Sequence, residues 1–274
     1  MPSPETAASM REGAQLSSQA LPCLETVEVP LHVNVDVRGL GQSPMQALRV
    51  LLVADVLRRL AEELHGVPVV LAVLDDGKGT PTSQASWTKT FRIQEPSLRG
   101  RSESEVLAFF GGPAAAAFKT ATPAGAISAV PGAGKVLEIG PVQAPVPADV
   151  PPLTSGLLGN HDPLALRLCL LRFPYAGPAV LSRARLHRAE ETLQRWRFKV
   201  ANWKDMPVAH AVPDVLAAAD GALTTALDTA SVLTLLHRLE TDQSQASGSK
   251  FATFTRLDRV LGLDLLRMVG KIRW

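Results

Sequence analysis

The stretch His32-Val33-Asn34-Val35-Asp36-Val37 alternates polar and apolar residues without a break, which lays one face of an extended chain on a core and predicts a β-strand. A glycine-rich turn, Gly39-Leu40-Gly41-Gln42-Ser43-Pro44, follows. Leu48, Leu51, Leu52, Val56 and Leu60 then recur at helical spacing through about Leu64, and Gly66 and Pro68 supply a stop. Val67 to Leu74 is almost wholly apolar and rich in β-branched residues, the pattern of a parallel strand covered on both faces. Strand, helix and strand in this order make a unit of the nucleotide-binding kind, whose ligands sit outside the carboxyl ends of the strands.

Outward from this unit the pattern is sparser. Glu103 to Phe110 is expected to be a helix and Lys135 to Ile139 a strand, and Pro145 to Pro152 reads as a connector because proline removes backbone donors. Asp162 is a good N-cap with Pro163 at the first helical position, and that helix runs to about Arg172. Leu186, Ala189, Leu193, Trp196 and Val200 define a second apolar stripe. Asp214 to Leu227, Asp228 to Leu239, and Phe251 to Leu261 closed by Gly262 give three more helices. The expected class is α/β: a leader over 1–24, a reduced Rossmann-like parallel-sheet domain over 25–152, and an α-helical bundle over 153–274.

Composition narrows the function classes. The 274 residues are 46% hydrophobic and 20% charged with a net charge of +2, enough for a packed core and no strong global field for DNA or an anionic membrane. From His161 onward, 16 Lys and Arg stand against 11 Asp and Glu, net +5, and the first 160 residues carry net −3. That mild basic bias fits RNA contact and equally fits Arg on the wet face of amphipathic helices. Cys23 and Cys169 are too few for a disulfide scaffold or a four-ligand zinc site, and the chain reads as cytoplasmic. No apolar run approaches the roughly eighteen residues of a membrane span, and the Ser- and Pro-rich start has no apolar core, so it reads as a disordered leader and not a signal peptide.

The local site signals have plain readings. Gly132-Ala133-Gly134-Lys135 is a turn entering a strand, since Val136 stands where a phosphate loop needs Ser or Thr. His161 beside Asp162 is poor geometry for a proton relay, and His32, His65, His187, His210 and His237 are scattered without metal-ligand spacing. Trp196 and Trp203 with Arg195, Arg197, Lys199 and Lys204 read as a core tryptophan with a wet basic face ahead of an aromatic-basic RNA surface.

Leu158-Gly159-Asn160-His161-Asp162-Pro163-Leu164-Ala165-Leu166-Arg167 resembles the segment after the second ATP signature of cysteinyl-tRNA synthetases. In the same order, Asp55-Val56-Leu57-Arg58-Arg59-Leu60, Val73-Leu74-Asp75-Asp76, Ala226 to Leu233 and Val260 to Leu265 resemble other segments of that family or of its mycothiol-pathway relative. The resemblance puts the two ATP signatures at Pro44-Met45-Gln46-Ala47 and Leu153-Thr154-Ser155-Gly156-Leu157, where the family's histidines and lysines are missing. Neither cysteine stands at a family zinc position. It therefore implies no catalytic residue, no zinc, and ATP as the one cofactor to consider. A reduced nucleotide crevice would be made by Gly39, Gly41, Gln46, Asp75, Asp76, Ser155 and Asn160. For the two aspartates a solvated turn is the competing reading. The expected function is non-catalytic binding or regulation, with an adenylate-type small molecule, a tRNA or a synthetase as partner. The competing expectation is an ATP-dependent cysteine-activating ligase in which Arg49, Lys78 or Lys135 replaces the lost cations.

Overall fold

The structure, a computed structural model, describes residues 30–41, 43–76, 88–120, 134–143 and 161–271. The expected leader, the Pro145 to Pro152 connector, Leu153 to Asn160, Lys78 and Cys23 lie outside the described residues.

Strand β1 (Leu31–Asp36) realises the alternation by burying Leu31, Val33 and Val35 in the main core. On the opposite face the ring of His32 stacks on Phe110, with centroids 4.6 Å apart. β2 (Val69–Leu74), β3 (Leu98–Gly100), β4 (Ala116–Thr120) and β5 (Lys135–Ile139) complete a five-stranded sheet of order β3-β2-β1-β4-β5. Every pairing is parallel, so all carboxyl ends share one edge. The order reverses at β1, and the crevice between the ends of β1 and β4 is where a Rossmann-like sheet admits a ligand. β3 and β4 carry no pattern that marked them in the sequence: one is three residues long, and the other starts on the small, fully buried Ala116 and Ala117.

Helix α1 (Pro44–Arg59) follows β1, starts earlier than its apolar spacing suggested, and continues into one wider turn over Leu60–Leu64. It is buried on nearly every side because the sheet covers one face and the last helix of the chain packs on another. α2 (Glu103–Phe110) covers the opposite face of the sheet, capped by Ser102, whose hydroxyl accepts from the Glu105 N–H at 3.3 Å, and ended by Gly111 at φ 72°.

The helical region holds α3 (Pro163–Leu171), α4 (Arg183–Lys204), α5 (Pro213–Ala226), α6 (Thr229–Thr241) and α7 (Ser247–Leu261), then a short 3₁₀ turn at Leu265–Met268. A small parallel pair, β6 (Val142–Gln143) with β7 (Ala179–Val180), links it to the sheet. One apolar core runs from β1 through α1 to Trp196 and Phe254, so the two regions are packed as one body of side chains. Among the described residues no helix is long and apolar enough to cross a membrane.

A buried ion pair bolts the regions together. Arg167 on α3 donates from Nη2 to Asp55 Oδ2 on α1 at 2.6 Å, from Nε to Leu261 O at 2.6 Å and from Nη1 to Phe91 O at 2.9 Å. Asp55 also accepts from Arg59 Nε at 2.8 Å and from the Gln94 N–H at 2.8 Å. Burial pushes Asp55 up, but the charges of Arg167 and Arg59 outweigh it and hold the carboxyl below its ordinary range.

Glu240 on α6 is a second buried anchor. It accepts from Arg195 Nε at 2.7 Å and Trp196 Nε1 at 2.9 Å and pairs with Lys199 Nζ at 3.0 Å. Burial again works upward, and those hydrogen bonds overcome it and take the carboxyl from 4.5 down to about 2. A carboxyl lowered by folding stabilises the fold fully above its unfolded value and loses that contribution as pH falls through the folded one. Thermal unfolding temperature is therefore expected to fall between pH 4.5 and about 2. Glu240→Gln is expected to be less stable at pH 7 by about 2 kcal/mol, with a shallower acid slope, and a slope identical to the parent would refute the assignment.

Candidate functional site

The crevice at the carboxyl edge starts where β1 leads into the turn before α1. Gly39 takes φ 74°, and its N–H donates to Asp76 Oδ2 at 3.1 Å, which ties the end of β2 to the end of β1. Arg38 folds back on Asp36, donating from Nη2 at 2.7 Å, and on Glu103 at 2.9 Å. The Asp75 N–H continues the sheet by donating to Gly100 O at 3.0 Å. Gly39 and Gly41 are exposed, and Asp75 and Asp76 are half-buried. Of the seven residues expected at the crevice, five therefore lie at this edge, and Ser155 and Asn160 fall outside the described residues.

What the turn offers a ligand follows from its chemistry. A helix N-terminus binds phosphate through free N–H groups. Pro44 at the first position has none, and Ser43 makes no side-chain cap. Gln46, the third residue of α1, is buried with its amide engaged: Nε2 donates to Gly140 O at 3.1 Å and Oε1 accepts from the Val142 N–H at 2.7 Å. Arg49, one turn on, donates to Gly140 O at 2.7 Å, Pro141 O at 3.2 Å and Pro174 O at 2.8 Å. Burial lowers Arg49 to about 10, so it stays protonated at neutral pH. Both polar side chains on the first turns of α1 thus hold the chain between β5 and β6. Lys135 begins β5 and so stands at the amino edge, opposite the crevice.

The helical region carries a different opening. Arg172, Arg188, Thr192, Arg195, Trp196 and His237 line a groove of ≈ 560 Å³ between the end of α3, α4 and α6, with Glu191 on its rim. Arg172, Arg188, Arg195 and His237 are exposed. Arg195 and His237 are drawn to Glu240, and Arg172 donates to Thr192 Oγ1 at 3.1 Å. Among the described residues neither Arg172 nor Arg188 forms an ion pair. Trp196 itself is 1% exposed and belongs to the core. Arg197 is buried too, donating to Asp162 Oδ2 at 2.6 Å, Leu263 O at 2.9 Å and Asp264 O at 3.0 Å, so these two residues are no part of an aromatic-basic surface.

Sequence reasoning passed over one cluster. His161, His187 and Glu190 bring their donor atoms within 4.8 Å of one another. The available signal was the spacing of three between His187 and Glu190 on a helix, and His161 lies too far away in sequence to be tied to them by pattern. Cys169 is buried inside α3, and burial pushes its thiol up, which leaves it inert as a nucleophile.

Comparison with protein-family models and with curated proteins finds none that matches the chain, and what stands is a Rossmann-like parallel five-stranded sheet followed by a helical region.

Proposed function

We propose that the chain is a shortened, non-catalytic relative of the cysteinyl-tRNA synthetases that works by binding, with RNA of the tRNA type as its partner and the cytoplasm as its place. The observation that carries the non-catalytic part is the engagement of Gln46 and Arg49 by the Gly140 to Val142 backbone. Among the described residues the long polar side chains of the first turns of α1, Gln46 and Arg49, are both engaged, and the rim carries Asp36, Asp75, Asp76 and Glu103 against the one cation Arg38. An acidic rim repels a polyphosphate, and transition-state charge on a leaving pyrophosphate needs preorganised cations worth several kcal/mol. The ligase reading is less favoured for the same reason: Arg49 is spent on carbonyls and Lys135 stands at the wrong edge.

The RNA part rests on the α3–α4–α6 groove. Arg172 and Arg188, which form no ion pair among the described residues, flank an opening of ≈ 560 Å³ and with Arg195 outnumber the one carboxylate on its rim, Glu191, which suits a phosphate backbone. Cysteine-dependent ATP–pyrophosphate exchange is expected to equal a no-protein control, and exchange above it would overturn the proposal. Fluorescence anisotropy with unfractionated tRNA is expected to show saturable, salt-sensitive binding. The Arg172→Ala/Arg188→Ala double variant should bind about tenfold more weakly, with the salt slope reduced by about two. Equal affinity in parent and variant would remove RNA from the reading.

A further inference from the structure

His187 and Glu190 stand three positions apart on α4, so their side chains leave one face of the helix a turn apart. His161, the residue before the N-cap of α3, meets that face, and its Nδ1 contacts Glu190 Oε2. The His161 and His187 rings lie 6.2 Å apart between centroids and are inclined at 61°, so a nitrogen of each can point at a common centre. All three donors fall within 4.8 Å of one another. Around a tetrahedral zinc ion with bonds of ~2.0–2.1 Å, donors lie ~3.3 Å apart. Rotation of His187, whose side chain is 65% exposed, together with an opening of the close His161–Glu190 contact, brings the three donors to that spacing.

The carboxylate is already oriented for this use. Glu190 Oε1 accepts from the Asp162 N–H at 3.1 Å and from Gln194 Nε2 at 3.5 Å, which leaves Oε2 facing the histidines. Outer hydrogen bonds of this kind orient metal-ligating carboxylates. Asp162 is fixed in turn, with Oδ1 capping α3 at 2.9 Å and Oδ2 accepting from Arg197 at 2.6 Å and Arg267 at 2.8 Å. An ion pair between His161 and Glu190 accounts for two of the three groups, and His187 Nε2 lies 3.4 Å from Glu191 Oε1, a contact that metal binding would compete with.

We infer that His161, His187 and Glu190 bind a divalent transition-metal ion of the zinc type, which clamps the segment entering α3 to α4. Two imidazoles and a carboxylate suit zinc and its first-row neighbours, whereas magnesium and calcium want oxygen donors throughout. Three protein ligands leave a fourth position for water. The site contains no cysteine and lies where the segment entering α3 meets α4.

The full chain, stripped with a chelator and dialysed, would be titrated with Co²⁺ by visible absorption and with Zn²⁺ by calorimetry. The expected result is one saturable equivalent, a cobalt band that zinc displaces, and a rise in unfolding temperature on zinc addition. His187→Ala and Glu190→Gln should each lower zinc affinity at least tenfold. His187 sits on an exposed helix face, so its variant keeps the fold, verified by circular dichroism, and decides the matter even if Glu190→Gln unfolds. Zinc affinity unchanged in His187→Ala, or no saturable equivalent in the parent, overturns the inference and leaves a plain His161–Glu190 ion pair.

Discussion

Replacing Arg167 by methionine is expected to remove on the order of 3–5 kcal/mol of stability, read as a lower urea midpoint at unchanged slope. The arginine is 0% exposed, so its loss exposes nothing to water and strands three acceptors in the interior. Asp55 keeps only Arg59 and the Gln94 N–H, while Leu261 O and Phe91 O lose their donor. With one cation gone, the Asp55 carboxyl moves up from its lowered position, so the variant should lose less stability on acidification than the parent. Asp55→Leu is expected to be costly in the same way, because it leaves Arg167 charged and buried. The double variant Asp55→Leu/Arg167→Met should be closer to the parent than either single variant, since the two fully buried charges leave together and Arg59 keeps the Arg92 and Arg259 carbonyls. If both single variants fell within about 0.5 kcal/mol of the parent, the bolt would be idle.

Gly140→Ala is expected to be nearly as damaging, for reasons of space alone. A Cβ there would sit 2.2 Å from Gly177 O and 2.5 Å from Gly177 C, both backbone atoms that cannot swing aside. The turn after α3 must then retreat from the end of β5. That retreat also pulls apart the carbonyls of Gly140, Pro141 and Pro174, which converge on Arg49. A loss of about 3 kcal/mol in chemical denaturation is the expected outcome. Gly221→Ala is the contrast: nothing lies within 4 Å of its Cβ, and inside α5 the change should stabilise by about 0.5–1 kcal/mol. Two glycine variants with the same sign would show that close approach is not what Gly140 provides.

The elements that could be read from the sequence are those whose pattern is local. β1 declared itself by alternation, α2 and β5 fall where expected, and the Asp162 cap with Pro163 behind it opens α3. β4 was hidden because it opens on two buried alanines, which carry little strand signal. At the candidate site Gly39, Gly41, Asp75 and Asp76 lie at the carboxyl edge, but the commitments of the residues that follow were not legible. That Gln46 and Arg49 serve backbone carbonyls more than ninety positions away depends on how β5 returns to α1, which no spacing encodes. Arg197 sits among residues that look like a wet basic face and is instead buried against the last turn of the chain. Asp55 and Arg167, 112 positions apart, hold each other, which no local pattern announces.

The burial of α1 on nearly every side also has a cost in time. Arg59 donates to Arg259 O at 3.2 Å, and those partners are 200 positions apart. During synthesis from the amino terminus at about 5–20 residues per second, α1 waits on the order of ten seconds or longer for α7 to leave the ribosome. Through that interval the face of α1 that packs on α7 stays bare.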